Sequence, residues 1–276
     1  NGRPHVPGAP TLQEERMRIH RINIVLLHTW YHFLHSMETW VDVFWNPAVQ
    51  IWVYALIALS FNQTDSPQGL FVMIGMIFWN AIWVGEYAIA VGALWEIWAQ
   101  SFSGLFISPL SMPEFIVGQM ISGTIKSLLA IIVSAVIAFI LYNFSLLSIG
   151  WMNVIYIIEL LIFSWAVGIL SLSLIFRYST QVQSLSWALV FLIQPFAAVF
   201  YPVSVLPVQI RWISYGLPAT YIFESIRKQI TTNVIDWPAL GIATILNIVW
   251  FLVSCLIFHQ TYRQAKKSGA FARLEG

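Results

Sequence analysis

The chain has 276 residues, 59% of them hydrophobic and 9% charged, with a mean hydropathy of +0.76. That balance excludes a soluble domain. A net charge of +1 with no dense basic run excludes a nucleic-acid surface. The one cysteine, Cys255, lies in the last apolar stretch, so no intrachain disulfide is possible. No charged-then-apolar leader follows Asn1-Gly2-Arg3-Pro4, and a cleaved signal peptide is not expected.

In chain order, residues 12–39 come first, with early charges (Glu14, Glu15, Arg16, Arg18, Arg21) followed by aromatics. Ile19, Ile22, Leu26, Thr29, Phe33 and Met37 fall near helical spacing, which predicts an amphipathic helix at the membrane interface. His28, His32 and His35 share one of its faces. That spacing suits a metal or haem, but a tetrahedral site needs a fourth ligand, and Glu38 is the only acid nearby. Interfacial histidines, half apolar and half wet, are the competing reading.

Six apolar stretches follow, at 43–61, 69–95, 114–142, 151–176, 182–204 and 237–259. A helix rises ~1.5 Å per residue, so ~20 residues cross a hydrocarbon core of ~30 Å. The fold class is therefore an all-α integral membrane protein with six spans in one transmembrane domain, 1–276. Asn46-Pro47 is expected to kink the first span. Residues 96–113 form a short helix and a Ser-Pro-Leu-Ser break, and Pro113 and Glu114 suit the start of the third span. In 205–236, Pro207, Gly216 and Pro218 interrupt two short amphipathic pieces, read as a re-entrant helical pair. With both termini cytoplasmic, nine of the 13 Lys and Arg lie inside, against Arg211, Arg227 and Lys228 outside. Asn62-Gln63-Thr64 and Asn143-Phe144-Ser145 match the glycosylation pattern in outer loops, as short polar turns do by coincidence.

The charges within the spans demand explanation, because ionisable groups in lipid face protein or a cavity. Glu86 and Lys126 fall at similar depth on antiparallel spans, which predicts a buried ion pair; a proton relay and a substrate contact are the other readings. Glu159 has no basic residue at its depth and is read as neutral or hydrated. Trp79, Trp83 and Tyr87 form a ridge that either lines a substrate path or packs between spans, and Gln194 interrupts the fifth span.

The chain contains no His-Glu-x-x-His and no Gly-x-Ser-x-Gly. Gly118-x4-Gly123-Thr124-Ile125-Lys126 is not a phosphate loop, because Lys126 comes two residues late and lies in a span. No enzyme is expected in this chain, and any ATPase must be a partner.

The order of these features resembles a known family. An amphipathic helix precedes six spans. The loop after span two reads Glu96-x11-Ser108-Pro109-Leu110-Ser111-x2-Glu114, and the outer segment reads Leu206-Pro207-x3-Arg211-x6-Pro218-x2-Tyr221-x2-Glu224-x2-Arg227. Together they resemble the type 2 permease family of ABC transporters, the membrane subunits of drug, lipid and polysaccharide exporters. The Ser-Pro-Leu-Ser loop leans towards the multidrug-type branch. Ile97-Trp98 departs from it, standing where many relatives carry a basic residue and a glycine.

The resemblance implies a homodimer in a bacterial inner membrane that moves a drug, lipid or lipid-linked glycan outward. Two copies of a separate ABC ATPase subunit would drive it, with ATP and magnesium held by that partner and no cofactor in this chain. It also implies ATPase coupling through Glu96, Gln100 and Ser101, and a path past Trp79, Trp83, Tyr87 and Gln194. The alternatives are an ion-coupled carrier using Glu86, Lys126 and Glu159, and a haem or redox subunit using His28, His32, His35 and His259.

Overall fold

A computed structural model describes residues 12–60, 67–98, 110–178 and 183–268, and among these the chain is helical with no strand. Helix α1 (Leu12–His35) stops at Ser36, four residues short of the expected end. Ser36 Oγ accepts the Thr39 N–H at 3.4 Å and starts α2 (Met37–Trp40). A π turn at Val41–Trp45 then leads into α3 (Asn46–Ser60). This turn is the form the expected kink takes: the Asn46 N–H reaches back five residues to the Val41 carbonyl, next to Pro47, which has no N–H to give.

The remaining helices are α4 (Pro67–Trp98), α5 (Met112–Tyr142), α6 (Met152–Tyr178), α7 (Gln183–Ile193), α8 (Arg211–Tyr215), α9 (Pro218–Thr232) and α10 (Trp237–Ser268). Five helical stretches are long and apolar enough to cross a membrane: Met37–Ala58, Gln68–Trp98, Met112–Tyr142, Met152–Tyr178 and Trp237–Lys267. At the start of α5 the Ser111 N–H donates to Glu114 Oε2 at 2.8 Å, a capping contact that also sets an acid at the positive end of the helix dipole.

Helix α4 is the centre of the bundle. It packs on α3, α5, α6 and α7, and 78% of its span is buried, against 28% for α5 and 22% for α10. Close approach of the helices depends on small residues, since a Cβ on Gly85 would lie 2.4 Å from Ser164 Oγ. Helices α4 and α5 run antiparallel, with Ser127 Oγ donating to the Ala81 carbonyl at 2.9 Å and Asn80 Nδ2 to Ser134 Oγ at 3.2 Å. In contrast, α10 lies along α6 in the same direction, as Trp237 meets Trp151, Trp250 meets Phe163 and Tyr262 meets Phe176. The chain between Tyr178 and Trp237 therefore travels back over the length of α6.

That return differs from the continuous helix expected over 182–204. Helix α7 has 11 residues, or ~16 Å at ~1.5 Å per residue, about half a hydrocarbon core. Pro195 cannot donate to the ladder, and one last turn closes with the Phe196 and Ala197 N–H groups on the Ile193 carbonyl, each at 3.0 Å. Ala198 then takes a left-handed φ of 54° and ends the turn. The freed carbonyls are gripped from α9: Arg227 donates to Ala198 O at 2.6 Å and to Val199 O at 3.4 Å, and pairs with Glu224 at 3.3 Å. Irregular backbone amid apolar helices needs such partners.

Candidate functional site

Helix α1 does not lie apart from the bundle. It runs lengthwise along the first turns of α5: Arg21 reaches Glu114 at 3.7 Å, and Gly118 accommodates Val25, whose Cγ1 would be 2.6 Å from an added Cβ. Val25, Thr29 and Phe33 are buried on this side, while Ile24, Leu27, Tyr31 and Leu34 face outward. Of the apolar face expected to lie at the membrane surface, the part at 22, 26, 29 and 33 instead packs toward α5, while Met37, beyond the break at Ser36, is 84% exposed.

Glu96 ends α4 near this contact, where His28 Nδ1 stands 3.4 Å from its carboxylate. The two acids that flank the loop between α4 and α5 are therefore both held by basic side chains of α1, Glu114 by Arg21 and Glu96 by His28. Gln100 and Ser101 lie outside the described residues. Glu96 is turned toward α1, its side chain only 12% exposed, so any docking surface there includes α1.

A small cavity of about 40 Å³ opens between α1, α2, α4 and α5, lined by Asp42, Tyr87, Gln119, Lys126, His32 and Glu96 among others. Gln119 lies flat on Gly92, where a Cβ would come within 2.5 Å of its Oε1. Burial, followed by the positive charge of Lys126 and then His28, holds the His32 imidazole below its ordinary range, with Glu96 opposing. The three histidines of α1 do not act together. His28 meets Glu96, His32 tilts over Trp95 at 4.7 Å, and His35 Nδ1 is 2.9 Å from the Tyr31 carbonyl. Among the described residues no three His, Cys, Asp or Glu side chains converge on a possible metal position.

The expected Glu86–Lys126 ion pair is not formed. Glu86 is fully buried, and neither carboxyl oxygen has a hydrogen-bond partner among the described residues. Its backbone carbonyl lies against α6, where a Cβ on Gly168 would be 3.2 Å from Glu86 O. Gly85 sits between α6 and α5, its added Cβ 2.4 Å from Ser164 Oγ and 3.0 Å from Ser127 Oγ, whereas Ala88 and Gly92 face α5. The depths match but the faces do not, because neighbouring residues on a helix are turned ~100° apart. Lys126 instead shares the small cavity with Asp42.

Trp79 and Trp83 are buried in the core, and Tyr87 lines the small cavity. Gln194 is half-buried at the end of α7, where its N–H closes on the Val190 carbonyl at 3.0 Å. Glu159 joins α6 to α10, accepting from Thr244 Oγ1 and from Asn247 Nδ2, each at 2.6 Å. Those partners sit in a polar i, i+3 pair of an otherwise apolar span, a signal that the sequence reading passed over.

Arg227, counted above only among the outer basic residues, is a buried group. It is 7% exposed, and its neighbour Lys228 pairs with Asp236 at 2.7 Å. An outer cavity of about 800 Å³ lies beside it, between the start of α4, the break after α7, and α9, with Phe71, Phe200, Tyr201 and Glu224 in its walls.

The sequence model of the family described as ABC-2 type transporter matches residues 25–231, about three quarters of the chain. That stretch runs from the docked half of α1 to α9. No curated protein matches the chain.

Proposed function

Because the chain belongs to the ABC-2 type transporter family, we propose that it is the membrane-spanning permease subunit of an ATP-driven exporter. The family works with an ABC ATPase subunit, and this chain is an integral membrane protein of the transport part. The carrying observation is the family match, which runs from α1 to α9 and takes in the loop between α4 and α5. In this reading the substrate is amphipathic (a drug, a lipid or a lipid-linked glycan) and moves outward in a bacterial inner membrane. Two permease copies pair, and two ATPases dock beneath the α4–α5 loop.

Six crossings follow if α7 and the gripped backbone at 194–202 act together as the fifth, which the parallel run of α6 and α10 supports. Helices α8 and α9 then form the re-entrant pair on the outer side, with both termini in the cytoplasm. A cysteine at Lys228, in a Cys255→Ser background, is expected to react with an impermeant thiol reagent added outside intact cells. One at Lys266 is expected to react only after the membrane is opened. Labelling of both from one side would mean an even number of crossings between them and would end this topology.

Coupling is tested at Glu96. Glu96→Lys sets like charges against His28 and Lys126 and is expected to cut substrate-stimulated ATP hydrolysis at least fivefold, with membrane insertion intact. Unchanged hydrolysis and unchanged recovery of the ATPase with the permease would remove Glu96 from the coupling face.

A further inference from the structure

Buried charge in a membrane protein is normally answered by a counter-charge or a hydrogen bond, and Lys126 has neither. Among the described residues its ammonium makes no hydrogen bond and no ion pair within 4.0 Å. Asp42 stands across the small polar cavity, but its Oδ1 already accepts from Asn46 Nδ2 at 3.1 Å. Asp42 Oδ2 has no hydrogen-bond partner among the described residues and lies beyond 4.0 Å of the ammonium, so the two groups face each other across the cavity without pairing.

Lys126 also lines a second cavity, a slot of about 340 Å³ between α1 and α5. The walls of this slot are largely apolar, including Leu26, Trp30, Phe33 and Ile125, with Asn23 and Ser122 as hydrogen-bonding groups. Leu27, Trp30 and Ile125 at its rim are 69%, 47% and 43% exposed, on faces that meet lipid. A cation thus stands at the meeting point of a polar cleft and an apolar slot open to the bilayer.

Lys126 lies 14 residues after Met112 and 16 before Tyr142, near the middle of α5, and its four-carbon stem can extend along the helix toward a head group at the α1 end.

We propose that Lys126 binds the phosphate of an anionic phospholipid seated between α1 and α5, with an acyl chain along Leu26, Trp30 and Ile125. The slot requires a ligand with an apolar tail, which distinguishes a lipid from free phosphate. The site stands on these residues whether or not the permease reading holds.

Phosphatidylglycerol is titrated into the purified chain in dodecyl maltoside, with binding read by native mass spectrometry and by the shift in melting temperature. Phosphatidylcholine and glycerol 1-phosphate are run in parallel. One phosphatidylglycerol per chain is expected to be retained and to raise the melting temperature, with glycerol 1-phosphate giving no shift. Lys126→Gln is expected to weaken binding at least tenfold, and Lys126→Arg to keep it. Ile125→Trp, which fills the slot and leaves the charge, is expected to lose binding as well, so the result does not rest on one variant's folding. Undiminished binding by Lys126→Gln, an equal shift with phosphatidylcholine, or an equal shift with glycerol 1-phosphate would each overturn the proposal. So would rescue of Lys126→Gln stability by Asp42→Asn with no lipid dependence, since Asp42 would then be the sole partner.

Discussion

Arg227→Ala is expected to destabilise the chain by about 3–5 kcal/mol, the range for breaking a buried ion pair from one side. The guanidinium holds the Ala198 carbonyl at 2.6 Å and the Glu224 carboxylate at 3.3 Å, and Glu224 Oε1 also accepts the Val203 N–H at 2.8 Å. The Arg227–Glu224 pair thus ties α9 to both ends of the non-helical stretch that completes the return crossing. Its removal orphans carbonyls that α7 cannot satisfy, because Pro195 and the left-handed Ala198 have already ended the helix. Arg227→Lys is expected to recover less than half of the loss, since an ammonium cannot span carbonyl and carboxylate with a planar fork. Thermal melting in detergent measures this, alongside outer labelling of the cysteine at Lys228. A melting temperature within a degree of the parent for Arg227→Ala would show that the break holds itself together.

Glu159→Ala is expected to cost about 2–3 kcal/mol, from two short hydrogen bonds involving a carboxyl group in a low-dielectric setting. Thr244 and Asn247 would be left facing an empty position within the α6–α10 contact. Adding Asn247→Leu is expected to return part of the loss, because the orphaned amide is then replaced by a group that needs no partner. Unfolding in graded detergent denaturant reads both variants. Strict additivity of the two substitutions would mean that Glu159 and Asn247 act independently, which the 2.6 Å contact contradicts.

The expected elements transferred to the structure wherever an uninterrupted apolar run was long enough to span on its own. The second, third, fourth and last stretches are α4, α5, α6 and α10, with ends displaced by a few residues apart from the C-terminal extension of α10 to Ser268. The fifth is where composition misled. Residues 182–204 are apolar enough to read as one helix, yet Gln194-Pro195 and Pro202 mark the break, and Arg227 makes the break tolerable. That compensation comes from 28 or 29 residues downstream, and local pattern carries no record of it.

The candidate sites divide along the same line. The amphipathic pattern of α1 grouped Thr29 and Phe33 on one face, since helical periodicity is a property of one segment, but assigned that face to the membrane surface. What that face docks on, the flank of α5 with Glu96 and Glu114 within reach of His28 and Arg21, is a relation between segments. Rise per residue likewise placed Glu86 and Lys126 at one depth, because depth depends only on distance along each helix. Which way each side chain points depends on how α4 is rotated between α5 and α6, and the close approach at Gly85, Gly92 and Gly168 sets that rotation. The sequence by itself determined a membrane-embedded helical chain, its family resemblance and its apolar faces. Only the tertiary packing decided that Glu86 faces α6, that Lys126 shares a cavity with Asp42, and that Arg227 is buried, because azimuth and long-range polar compensation arise from contacts between helices.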